Sequence, residues 1–213
     1  MRTLGCILAS SILLSGAVVL DRVAVIAGTH VIKTSDIDRD IRLTQFLNRQ
    51  ALNITPATKR EAAERLITQD IIRQEIISGA YQRPQESEGA TLEVDLRRDQ
   101  FANSSERLHD ALQKYGLTES ELRERLLWQI TVLQFINQRF RAGVVVTDED
   151  IRNYYNQHAA ELRKQQLKNI TLETLTPKIK EMLEGERINQ SFNEWLDQAR
   201  QGYRVECKQE AFE

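Results

Sequence analysis

The sequence predicts a mainly α-helical domain with a small antiparallel sheet formed by an N-terminal hairpin and a C-terminal strand. Three observations carry this. The 213 residues include only nine Gly and three Pro, few turn residues for a barrel or sandwich. The stretch Leu117 to Phe140 repeats apolar residues at helical spacing on two faces, which calls for neighbours on both sides. Strand-like patterns occur at the two ends of the body, Asp21 to Lys33 and Tyr203 to Lys208. A lone hairpin is marginal in water, so the terminal strand is expected to pair with it as a third strand.

Taken in order, MRTLGCILASSILLSGAVVL opens with basic Arg2, continues as an apolar run and reaches a small-residue site at Ser15-Gly16-Ala17. It reads as a secretory signal peptide, residues 1–17, cleaved near Ala17. An uncleaved anchor is the alternative, since the run sits near the lower limit for spanning. Cys6 precedes the apolar run and is too early for a lipidation site. No later segment is apolar enough to span a bilayer, so the expectation is an exported body without stable membrane insertion. Residues 18–146 form the main unit, and 147–213 return to complete it.

In Asp21 to Lys33, Val23 and Val25 alternate with Ala24 and Ile26, and Gly28 supplies the turn. Thr34 or Ser35 is expected to cap a helix carrying Ile37, Ile41, Leu43, Phe46 and Leu47. Pro56 opens a second helix, roughly residues 57–81, with apolar pairs Ala62/Ala63, Leu66/Ile67, Ile71/Ile72 and Ile76/Ile77 that imply a broad buried face. Gln82 to Gly89 reads as a polar loop. Two shorter amphipathic helices follow, Thr91 to Phe101 and Ser105 to Tyr115, the second stopped by Gly116.

Thr118 and Glu121 make a capping-box pattern for the central helix. Leu122, Leu126, Ile130, Leu133 and Phe140 form one stripe; Trp128, Val132 and Phe135 form another. Val144 to Val146 is a linker, and Thr147 caps a helix with Ile151, Tyr154, Tyr155 and Leu162. Gln165 to Thr174 reads as a connection. Pro177 opens a last helix bearing Ile179, Met182, Leu183, Ile188, Phe192, Trp195 and Leu196 to about Arg200, and Gly202 ends it.

The composition, 41% hydrophobic and 28% charged with a formal charge of −2, gives no basic excess for nucleic acid. Without the leader only Cys207 remains, expected half-buried on a terminal strand, so no internal disulfide can form. His30, His109 and His158 are dispersed, and no Cys/His spacing suggests a metal. There is no nucleophile elbow, P-loop, HExxH or dinucleotide fingerprint, and the carboxylate pairs sit at helix starts or solvated faces. No catalytic residue, cofactor or metal is expected. What remains is apolar surface: Phe101, Leu108, Leu112, Trp128 and Phe135 either line a groove for an extended peptide or belong to the core. A patch of roughly 300–600 Å² at ~25 cal/mol/Å², set against association costs of about 4–15 kcal/mol, leaves weak, releasable binding.

The order of these segments resembles the periplasmic SurA-like chaperones of the SurA/PpiC/parvulin foldase group. The resemblance runs through DRVAVIAGTHVIKTSDIDRDIR, REAAERLITQDIIRQE, ERLHDALQKYGLTESELRERLLWQITVLQFI, VTDEDIRNYYNQH and LTPKIKEMLEGERINQSFNEWLDQARQGYRVEC, nearly the whole body. It implies a SurA N-terminal-type helical chaperone domain in the periplasm, an ATP-independent holdase for unfolded or partly folded secreted chains, outer-membrane barrel precursors among them. The family places a parvulin isomerase domain between the Tyr154-Tyr155 helix and the return helix. Here only Arg163 to Thr176 lies there, so the resemblance implies the chaperone core without the isomerase. A prolyl isomerase acting through an unrecognised site or a partner chain, and an assembly subunit with one folded partner, are the alternatives. Monomer and homodimer are both open.

Overall fold

The computed structural model describes residues 21–164 and 171–213, with side chains given to His158 and again from Thr171. The expected leader with Cys6, most of the Gln165–Thr174 connection and the side chain of Leu162 lie outside what is described.

The chain runs β1 (Val23–Ala27), β2 (His30–Lys33), α1 (Thr34–Leu47), α2 (Pro56–Ser78), α3 (Glu86–Phe101), α4 (Ser105–Lys114), α5 (Glu119–Phe140), α6 (Asp148–Lys164), α7 (Leu172–Gln201) and β3 (Val205–Cys207). The architecture is mainly helical, with one antiparallel sheet of order β2-β1-β3. The C-terminal strand thus adds to the hairpin's first strand, and the two ends of the body meet there. Gly28 makes the β1–β2 turn at φ +58°, and a Cβ there would lie 2.8 Å from the Tyr203 hydroxyl oxygen. Left-handed backbone and lack of space both require glycine at this position.

Local chemistry sets the helix starts. Thr55, Thr118 and Thr171 each accept a hydrogen bond from the amide three residues on, and Pro56 stands at the first position of α2. The first helix differs from expectation. Lys33 occupies the cap position, its amide donating to Asp36 at 3.0 Å, while the Thr34 and Ser35 hydroxyls donate to Asp21. The polar loop Gln82–Gly89 also proves shorter than expected, because α3 already starts at Glu86. Gln85 donates its amide to Glu88 at 2.9 Å, and Gly89 is buried against α5, where a Cβ would meet the Arg123 carbonyl and Leu127 at 3.1 Å. Gly89 serves close helix packing and not chain breaking. Likewise α7 starts at Leu172, on the Thr171–Thr174 cap, and Pro177 lies inside it. Its missing N–H removes one hydrogen bond near the helix start.

Three apolar clusters make the core. The first joins the sheet, α1, α2 and the C-terminus through Val25, Ile37, Ile41, Ile67 and Phe212. The second packs α1 and α4 on the first half of α5 through Phe46, Leu108, Leu112, Leu122 and Leu126. The third closes α2, the second half of α5 and α7 around Phe135. Helix α5 therefore does hold neighbours on both sides, but its stripe breaks at Leu133, which is 61% exposed. Cys207 is exposed and not half-buried, as are both other residues of β3, an edge strand of the sheet.

Candidate functional site

The second helix explains where apolar surface is left over. Its pairs Ala62/Ala63 and Ile71/Ile72 are buried, and Leu66 and Ile67 pack into the core. In the last pair only Ile76 is covered, while Ile77 is 53% exposed. Just beyond, Tyr81 folds back onto Phe135, ring centroids 5.0 Å apart and edge-on, and Arg139 donates to its hydroxyl at 2.7 Å. Gln82 is held to α5 as well, its amide donating to the Gln138 side chain at 3.2 Å and its carbonyl accepting at 3.3 Å. The chain between α2 and α3 is thus carried across the gap between α2 and α5 without filling it.

The result is a half-open cavity of about 310 Å³. Ile76, Ile77, Leu127, Trp128 and Pro84 supply its apolar walls, and Arg73, Arg83 and Glu124 its charges. Thr131 adds little polarity, because its hydroxyl donates to the Leu127 carbonyl at 2.8 Å. The Arg73 guanidinium lies 4.8 Å from the Trp128 ring centre, a cation–π contact that holds the indole in place. Such a site can take a few apolar side chains from an extended segment.

The five residues expected to line a groove are not brought together. Leu108 and Leu112 are each 1% exposed, seated between α1 and α5. Phe135 is 1% exposed, enclosed by Tyr81, Phe140 and Trp195. Phe101 is half-buried and stacks on Phe46, centroids 6.2 Å apart. Of the two readings left open, Leu108, Leu112 and Phe135 take the core one and not the groove, and Phe101 packs at the core's edge: helical spacing marked residues that lock helices to each other. Trp128 alone lines the cavity. Ile77 was missed as a site residue; the signal available for it was an apolar pair in the last turn of a helix, next to Gly79 and the basic Arg83-Pro84.

None of the three histidines lines this cavity. His30 lies 3.3 Å from buried Asp70, to which Tyr203 donates its hydroxyl. Burial and the Asp70 charge hold that phenol well above its ordinary value. His158 stacks on Tyr154. Among the described residues no three His, Cys, Asp or Glu side chains gather as a metal site, and no helix is long and apolar enough to cross a membrane.

Against known proteins, the Foldase protein PrsA of Clostridium kluyveri, found in two strains, is 23% identical over 168 residues. The chain is similar to a foldase. The aligned part is 70% of this chain and 49% of the relative, so the chain spans about half the length of the curated relatives it matches. No family model matches it. The similarity supports a chaperone or foldase type of protein; it does not single out the SurA branch that the residue pattern resembles.

Proposed function

We propose that this chain is an ATP-independent holding chaperone of the SurA-like kind, exported to the periplasm, where it binds unfolded or partly folded secreted chains. Outer-membrane barrel precursors are the clients it fits best. The observation that carries this reading is the half-open apolar cavity at Trp128 and Ile77. Ile77 does not stand singly but lines a cleft with Ile76, Leu127 and Trp128, and a small open apolar cleft suits weak, reversible capture of a client's side chains. Binding alone accounts for this role, with no catalytic residue. The foldase similarity agrees with a polypeptide as the ligand.

The test uses the chain from Val18 onward, without nucleotide, titrated into an outer-membrane barrel protein freshly diluted from urea. Light scattering is followed against an inert protein of similar size. Suppression that saturates near stoichiometric amounts is expected, weakened in Ile77→Gln and Trp128→Ala with their circular dichroism unchanged. No suppression at large excess would sink the chaperone reading.

A further inference from the structure

The charges around the cavity carry information beyond its apolar walls. All three arginines of α5 pair with carboxylates: Arg123 with Glu93 and Glu119, Arg125 with Asp40, Arg139 with Glu75. Arg65 of α2 does so too, with Asp40. Arg73 and Arg83 differ from these, as does Arg60 of α2, which lies outside the cavity lining. Arg73 and Arg83 line the cavity and, among the described residues, neither has a carboxylate partner. Glu124 is the one acidic side chain in the lining, where its closest polar contact is the Ser120 hydroxyl at 3.5 Å. The lining therefore has a surplus of positive charge in a chain whose overall charge is −2.

The position of Arg73 is also suited to a second partner. Its guanidinium carbon lies over the Trp128 ring, 4.8 Å from the centroid, and the contact is made to the ring, not to a carboxylate. A cation–π contact does not consume the guanidinium's five N–H donors, whose planar fork can still receive a carboxylate in a paired geometry that a lysine ammonium does not offer. Arg83, exposed beside Pro84, offers a second donor fork on the loop side.

We propose that the cavity selects client segments in which a short apolar run is flanked by acidic residues, whose carboxylates pair with Arg73 and Arg83. This rests on the chaperone reading and gives it a sequence preference. Apolar side chains supply the contact area, and the two arginines choose among equally apolar segments. The same surplus charge disfavours segments flanked by lysine or arginine, which specificity requires as much as attraction.

Three short fluorescent peptides test it, sharing one apolar run and flanked by Asp, Ser or Lys. Anisotropy titration of the chain from Val18 onward should rank them Asp, then Ser, then Lys, with steps of roughly three- to tenfold in Kd for exposed charge pairs. The steps should collapse as salt rises from about 50 mM to about 0.5 M, where screening shortens to a few ångströms. Arg83→Glu, an exposed change away from the core, should reverse the order of the Asp and Lys peptides. Equal affinity for the three peptides would overturn the charge preference and leave the chaperone reading intact. No binding of any of them would overturn both.

Discussion

At the scale of single residues, Asp40 is the side chain on which most of the interior electrostatics converge. Its side chain is 1% exposed, and it accepts from Arg65 at 2.7 and 2.8 Å and from Arg125 at 2.8 Å. Arg125 also reaches Thr44 at 3.3 Å. One carboxylate thus ties α1, α2 and α5 together. Removing Asp40 leaves Arg125, whose side chain is 15% exposed, without its carboxylate, while Arg65 at 35% can turn to water; an uncompensated, largely buried charge costs far more than the intact group contributes. Asp40→Ala should therefore lower stability by about 3–5 kcal/mol, read as a lower urea midpoint with an unchanged slope. A loss under about 1 kcal/mol, the range of an exposed pair, would show that the cluster is solvated in practice.

At the scale of elements, the pairing of α6 with α7 depends on Asp150. It accepts from the Arg187 guanidinium and from the Thr147 amide and hydroxyl, each at 2.8 Å. Arg187 also donates to the Val145 carbonyl, so the linker is fastened by the same residue. The hydrogen bond from Arg187, then those from Thr147, hold the Asp150 carboxyl far below the ordinary carboxylate range. A pKa lowered by folding gives stability that is present above the unfolded value, about 3.9, and disappears as pH falls through the folded one. Asp150→Asn should accordingly melt below the parent at pH 7. The difference should narrow as pH is taken toward 3 and below, measured by paired thermal scans. A gap that stays constant with pH would remove the ionised Asp150 from the account.

At the scale of the whole molecule, the last residues complete the fold. The β3 backbone pairs with β1, Lys208 donates its amide to the Ala24 carbonyl at 2.8 Å, and Gly28 donates to Arg204 at 2.8 Å. Ala211 and Phe212 then turn into the core beneath the sheet, with Phe212 only 2% exposed. Phe212→Ala should cost about 3–5 kcal/mol by lost burial plus a cavity, and should raise hydrogen exchange in β1 together with β3. Exchange confined to β3 would mean that the C-terminal segment opens independently of the domain.

Much of this was legible in the chain. Helical periodicity marks the seven α-helices among the described residues, and the strand patterns at the two ends predict the three-stranded sheet. Threonine caps and Pro56 place the starts of α2 and α5, because capping is local chemistry between residues three apart. Two boundaries read late in the sequence: Pro177 reads as a helix opener and Gln82 to Gly89 as loop, but the Thr171 cap and the packing of Gly89 on α5 extend both helices upstream against costs of about one hydrogen bond or one glycine's propensity. The cavity lay further from reach. Helical spacing says which residues are apolar and share a face, so Leu108, Leu112, Trp128, Phe135 and Ile77 look alike in the sequence. Whether a face is covered depends on residues far away in the chain. Tyr81 and Gln82, anchored on α5, carry the loop past Ile77 without covering it, and α1 and α4 close over the residues that became core. The sequence by itself determined the elements and their apolar faces, because those follow from local periodicity. Only the tertiary structure decided which apolar residues stay open and which arginines lie unpaired beside them, because burial and ion pairing are long-range.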